Sequence, residues 1–145
     1  LIILLMSSKI KAAIRIRPFL KSEINNGYSN SCIQVNPHRK EVQVHDGHQQ
    51  KNFNFDYILD HQASQEDVYQ QCAIDHLIEK SLQGYHSTIF AYGQTGSGKT
   101  HTMHGDEVES TEGIIPKIFT RLFQQMANNK QRTFCVFLSF LQIYN

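Results

Sequence analysis

This chain has no apolar run long enough to cross a bilayer, no surplus of charge and no cysteine pair of metal-site spacing. Each absence removes a class of function. The opening run, Leu1–Met6, holds six apolar residues, where a spanning helix needs about 20. It also lacks the basic flank and small-residue cleavage site of a secretory leader. Met6 is the expected initiator, with Leu1–Leu5 as upstream read-through or a fragment edge. Lys and Arg number 14 against 13 Asp and Glu, a net charge of +1, so no general electrostatic attraction to nucleic acid or anionic membrane follows. The three cysteines, Cys32, Cys72 and Cys135, form no C-x-x-C and suit no zinc site. They are expected to be reduced and mostly buried, as in a cytosolic protein. No internal repeat is present.

What remains is a chain of 145 residues, 40% of them hydrophobic, enough for one domain with a core. Ile10, Ala12, Ile14 and Ile16 alternate with Lys11, Ala13, Arg15 and Arg17, a strand pattern that Pro18 ends. Asn25–Asn30 reads as a polar turn. Cys32–Val35 and Glu41–His45 read as strands of a hairpin around Asn36–Arg39, followed by a polar loop at 46–51 and a short strand at Asn52–Tyr57. Ser64, with Asp67 three residues on, is an N-cap signal. One helix is expected from there to Leu82, stopped by Gly84. Ile114–Ala127 is a second helix, with Pro116 tolerated in its first turn. Thr133–Tyr144 is almost continuously apolar and predicts a long buried strand. Strands alternating with helices argue for an α/β layered domain with a mixed sheet.

The chemistry concentrates at residues 93–100, Gly93-Gln94-Thr95-Gly96-Ser97-Gly98-Lys99-Thr100, a complete G-x-x-x-x-G-K-[ST] phosphate loop. Glycines let backbone N–H groups converge on an anion. Lys99 offers a point charge to the outer phosphates, and the Thr100 hydroxyl is a hard ligand for Mg2+. The apolar run Ser87–Tyr92 leads into the loop and a short helix opens at Lys99, the strand–loop–helix context such a loop requires. This pattern alone implies a nucleoside triphosphate.

Further blocks narrow that reading. They are Ile14-Arg15-Ile16-Arg17-Pro18, Phe53-Asn54-Phe55-Asp56, Thr88–Tyr92 running into the loop, His101–Gly105, Gly113-Ile114-Ile115-Pro116, and Ser139–Asn145. In this order they resemble the N-terminal part of a kinesin motor domain, from about Ser8 to Asn145. The resemblance implies a three-layer P-loop NTPase fold with a central mixed sheet, incomplete in this chain. Residues 1–7 form an unassigned extension, and 8–145 the N-terminal part of the motor domain. It implies ATP and Mg2+ as ligands, with Gln94–Thr100 around the phosphates, Arg15 and Pro18 flanking the adenine ring, and Tyr92 and His101 near the base-side edge. It further implies a parent microtubule-dependent ATPase of the cytoplasm and cytoskeleton, with tubulin as partner and neither nucleic acid nor membrane.

Lys117 and His86 stand where many kinesins have Arg and Asn. The family's later N-x-x-S-S-R-S-H loop and D-x-x-G block do not occur in these residues, and no catalytic group is identified. The expectation is therefore nucleotide binding without efficient hydrolysis. The alternative is a non-catalytic truncated kinesin-like protein that binds nucleotide or partners. In kinesins, strands from later in the chain separate the phosphate-loop strand from the strand matching Thr133–Tyr144, so an unstable or aggregated chain is also expected.

Overall fold

The structure, a computed structural model, describes residues 2–6, 9–27, 32–45, 47–106 and 111–143. In chain order the elements are β1 (Ile2–Met6), β2 (Lys9–Arg15), α1 (Lys21–Asn25), β3 (Ile33–Asn36), β4 (Glu41–His45), β5 (Gln50–Asn54) and β6 (Tyr57–Leu59). There follow α2 (Gln65–Gln71), α3 (Ile74–Leu82), β7 (Thr88–Ala91), α4 (Lys99–Met103), β8 (Gly105–Asp106), β9 (Thr111–Glu112) and α5 (Ile114–Asn128). The alternation around Ile10–Ile16 forms β2 as expected, within a four-stranded sheet ordered β6-β2-β1-β7. β1 runs antiparallel to both neighbours, while β2 and β6 are parallel, so the sheet is mixed.

The helical side of this sheet carries the core. Ile2, Ala13 and Leu59 pack with Val68, Tyr69, Cys72, Ile74, Leu77, Ile78 and Ile114 from α2, α3, the turn between them and α5. Residues of the other parity look away from these helices: Ile10 is 65% exposed and Phe90 40%. The isoleucine-rich face of β2 is thus the open one, and its Lys11–Ala13–Arg15 face is turned to the helices.

The hairpin forms as β3 and β4, with Asn36 opposite Glu41, and β5 adds a third strand. The strand expected at Asn52–Tyr57 divides instead. Its first part joins this small sheet and its last residue begins β6 in the large one. Asp56 sits at the crossing. Its carboxylate accepts from Lys11 Nζ at 2.5 Å and from the Ala12 amide at 3.0 Å, and its own amide donates to the Ala12 carbonyl at 2.8 Å. The F-x-F-D block is thereby a fastener between two sheets.

The single helix expected over 64–82 is two. Ser64 and Asp67 form the capping box, but Ala73 adopts a left-handed φ of 53° and separates α2 from α3. Cys72 and Ile74 lie about 200° apart on a continuous helix and could not both face the core. With the break they are 1% and 0% exposed. Gly84 ends α3 as expected, with Gly84 and Tyr85 amides bonded to Ser81 and Lys80 carbonyls.

Two expectations need correction. Cys72 alone is buried, and Cys32 and Cys135 are exposed. The buried strand expected at Thr133–Tyr144 is not one over its described part. Residues 133–143 belong to no strand, and Phe137, Phe140 and Ile143 are 89%, 87% and 85% exposed. A buried strand needs backbone partners, and none of the three described sheets supplies them. Parts of the expected turn at 25–30 and of the polar loop at 46–51, and the final Tyr144 and Asn145, lie outside the described residues.

Candidate functional site

β7 delivers the chain to a loop at 93–98 that ends where α4 begins. Gly98 caps that helix with φ 92°, a left-handed conformation open to glycine and strained for other residues. A Cβ on Gly93 would lie 2.5 Å from Ser97 Oγ and 3.2 Å from Ser97 Cβ, so a side chain there requires Ser97 to shift. Lys99 Nζ folds back over the loop and donates to the Gly93 and Gln94 carbonyls at 2.8 and 2.9 Å. Thr100 is exposed at the first turn of α4, and Thr95 and Gly96 form the exposed bend between them.

Beside this loop lies a cavity of about 280 Å³. Arg15, Pro18, Tyr92, Ser97, Gly98, Lys99 and His101 all line it, so residues up to 86 positions apart (101 − 15) are brought together. Gly93, Gln94, Thr95, Gly96 and Thr100 are not in its wall. They belong to the adjoining loop and helix start.

Arg15 is more anchored than an edge-strand arginine would be. Its guanidinium donates to Gln65 Oε1 at 2.8 Å, Thr102 Oγ1 at 3.0 Å and the Ala63 carbonyl at 3.1 Å. Burial lowers its pKa, with nearby Cys72 opposing. Gln65, itself buried, donates Nε2 to the His101 carbonyl at 2.6 Å. Arg15 and Gln65 thus clamp β2, the start of α2 and α4 behind the phosphate loop. A guanidinium with three protein acceptors is a wall of the cavity, held in place.

Sequence reasoning missed Gln65, Thr102 and Arg17. Gln65 occupies the first position of α2, where nothing local marks it. Arg17 also lines the cavity and is held by Glu23 at 2.6 Å. Its place in the Arg-x-Arg-Pro block was the available signal. Ile2, from a stretch left without a role, lines the cavity too.

Comparison with known proteins identifies the family. The kinesin motor domain family model matches residues 15–145. The chain is 38% identical over 141 residues to the chromosome-associated kinesin KIF4 of Xenopus laevis, covering 94% of this chain and 11% of that protein. It is 37% identical over 139 residues to the human kinesin-like protein KIF7, covering 93% and 10%. It thus spans about a tenth of the length of the curated relatives it matches. Among solved structures, residues 391–755 of KIF14 with ADP, in complex with a microtubule, align with a TM-score of 0.67 at 33% identity, over 83% of this chain and 34% of that one.

Proposed function

The chain belongs to the kinesin motor domain family, and from that premise we propose that it is the ATP-binding part of a microtubule-based motor. The observation that carries this reading is the loop Gly93–Thr100 held between β7 and α4, with Lys99 at its centre and a cavity alongside. Its residues fit a polyphosphate. Backbone N–H groups at a helix start lack helical partners, the Lys99 ammonium is a cation on a flexible stem, and phosphate oxygens compete for it with the Gly93 and Gln94 carbonyls. Charge-assisted hydrogen bonds of this kind contribute about 1.5–3 kcal/mol each.

Among the described residues no group of three His, Cys, Asp or Glu side chains could hold a metal. Thr100, at the first turn of α4 directly after Lys99, is the protein oxygen we assign to Mg2+, a cation that draws most of its ligands from phosphate and water. Bound ATP with Mg2+ supplies the phosphoanhydride and neutralises its charge. The chain's own residues bind and orient it. Lys99 meets the outer phosphates, Gln94–Ser97 line the phosphate path, and the cavity walled by Arg15, Arg17, Pro18, Tyr92 and His101 receives the nucleoside. No residue near Lys99 is assigned to position the attacking water, a task phosphoryl transfer requires. We therefore propose binding without efficient hydrolysis by these residues alone. Filament-stimulated turnover, tubulin as partner and a cytoskeletal location belong to the parent protein.

Titration with a fluorescent ADP analogue tests the reading. Saturable Mg2+-dependent binding is expected, weakened at least about tenfold in Lys99→Ala. Binding that ignores that substitution, or robust microtubule-stimulated turnover by these residues alone, overturns it.

A further inference from the structure

Among the described residues, the wall of the nucleotide cavity holds a buried hydroxyl that the fold leaves unused. The arginines, glutamine and lysine of that wall are engaged. Arg15 donates to Gln65, Thr102 and Ala63, Arg17 to Glu23, and Lys99 to the Gly93 and Gln94 carbonyls. Gln65 also donates to the His101 carbonyl. Thr111 lines the same cavity, and its Oγ1 is buried with no hydrogen-bond partner among the described residues. A buried hydroxyl left unpaired is costly, and such groups are few in native folds.

A close backbone crossing places this hydroxyl. After α4 the chain leaves as β8 and returns as β9, pairing Gly105 with Glu112 and Asp106 with Thr111. A Cβ on Gly105 would lie 1.9 Å from the Thr111 carbonyl oxygen, and one on Gly113 2.6 Å from the Gly105 amide nitrogen. Gly105 also has a left-handed φ of 97°, so glycine is what permits the approach. The Gly113 amide closes it by donating to the His104 carbonyl at 3.1 Å. Thr111 is thereby held beside the end of α4 that lies away from the phosphate loop. From Lys99 to Gly105 the helical rise is about 9 Å.

We propose that Thr111 is a nucleotide-binding residue whose hydroxyl hydrogen-bonds a polar atom of the base. A ligand whose phosphates lie at Lys99 extends its base, the part farthest from them, toward this end of the cavity. The base edge then supplies the partner that the fold withholds. A site whose buried polar group stays unpaired without the right ligand discriminates against ligands that lack the matching atom. The assignment rests on the ATP-binding reading above.

Calorimetric titration of the full chain with ADP, 2′,3′-dideoxy-ADP and inorganic pyrophosphate, each with Mg2+, tests it. Thr111→Val keeps the shape of the side chain and removes the hydroxyl. It should weaken ADP and dideoxy-ADP alike, about tenfold, and leave pyrophosphate unchanged. Thr111→Ser, which retains a hydroxyl, should restore ADP binding. Without nucleotide, the melting temperature of Thr111→Val should equal or exceed that of the native chain, because the substitution removes an unpaired polar group.

A fall in that melting temperature would show that the hydroxyl serves the fold and overturns the proposal. So does a Thr111→Val effect that vanishes with dideoxy-ADP, which would place the contact on the ribose, or one that extends to pyrophosphate. ADP binding that depends on Lys99 but ignores Thr111→Val overturns the assignment and leaves the ATP reading standing. A native chain that binds no ADP overturns both.

Discussion

Two apolar segments of this chain, α3 and residues 133–143, end in opposite surroundings. Ile74, Leu77 and Ile78 of α3 are 0%, 3% and 4% exposed, while Phe137, Leu138, Phe140 and Leu141 are 81–89% exposed. Hydrophobicity does not separate them. A helix satisfies its own backbone and needs only a surface for its apolar stripe. An extended segment needs a neighbour for every N–H and C=O before its side chains can be buried. α3 finds the sheet and α5; residues 133–143 find no strand among those described. β7 shows the intermediate case, an extended segment retained because one neighbour, β1, reaches it.

The largest expected effect sharpens this contrast. Ile74→Ala removes a fully buried side chain and should cost about 2–5 kcal/mol. Phe140→Ala, the deletion of a larger side chain, should change stability by less than about 0.5 kcal/mol. Urea denaturation of the two variants measures both. Comparable losses would mean that the tail is packed in solution, and the contrast would break.

A smaller effect is expected within the clamp. Gln65→Ala leaves the Arg15 guanidinium without one of its acceptors and frees the His101 carbonyl from its 2.6 Å donor. A loss of about 1–3 kcal/mol is expected for unsatisfied buried groups, together with weaker nucleotide binding. Gln70→Ala, five positions on, removes an exposed partner of Glu66 and should be nearly neutral. Equal effects of the two substitutions would reduce the clamp to a surface contact.

Much of this architecture was legible from local pattern. The strand at Ile10–Ile16, the Asn36 hairpin, the Ser64 cap, the Gly84 stop and the strand leading into the phosphate loop are each encoded within a few residues. Expectations failed where the deciding partner is distant. Nothing near Gln65 announces Arg15, 50 residues earlier. Nothing in Ile2–Met6 announces that its neighbours are β2 and β7. Period-2 alternation identified β2 but not which face the helices cover. The break at Ala73 was hidden because alanine favours helix, and the packing of Cys72 with Ile74 overrode that preference. The phosphate loop was legible because backbone geometry, expressed as glycine spacing, defines it. The cavity beside it is assembled from separate elements, and resemblance to the family, rather than periodicity, pointed to Arg15 and Pro18.

The smallest expected effect concerns the fastener at Asp56. Lys11 and the Ala12 amide hold its carboxyl below the ordinary aspartate range, and Asp56 in turn raises Lys11. For a depressed carboxylate, the stabilising contribution is complete above its unfolded pKa and is lost as pH falls through its lower folded value. Glu66 and Asp67, held down by Lys117 and Ser64 respectively, act in the same direction. Thermal stability should therefore be flat on this account from neutral pH to about 5 and decline below about 4. The Lys11–Asp56 pair is about one-third exposed (32% and 30%), so solvent screening keeps its charge contribution small. Asp56→Asn should consequently lie slightly below the native chain at pH 7, and the two melting curves should converge as acid protonates the native carboxylate. A gap that stays constant into acid would assign Asp56 a purely hydrogen-bonding role, joining the two sheets through its neutral contacts rather than its charge.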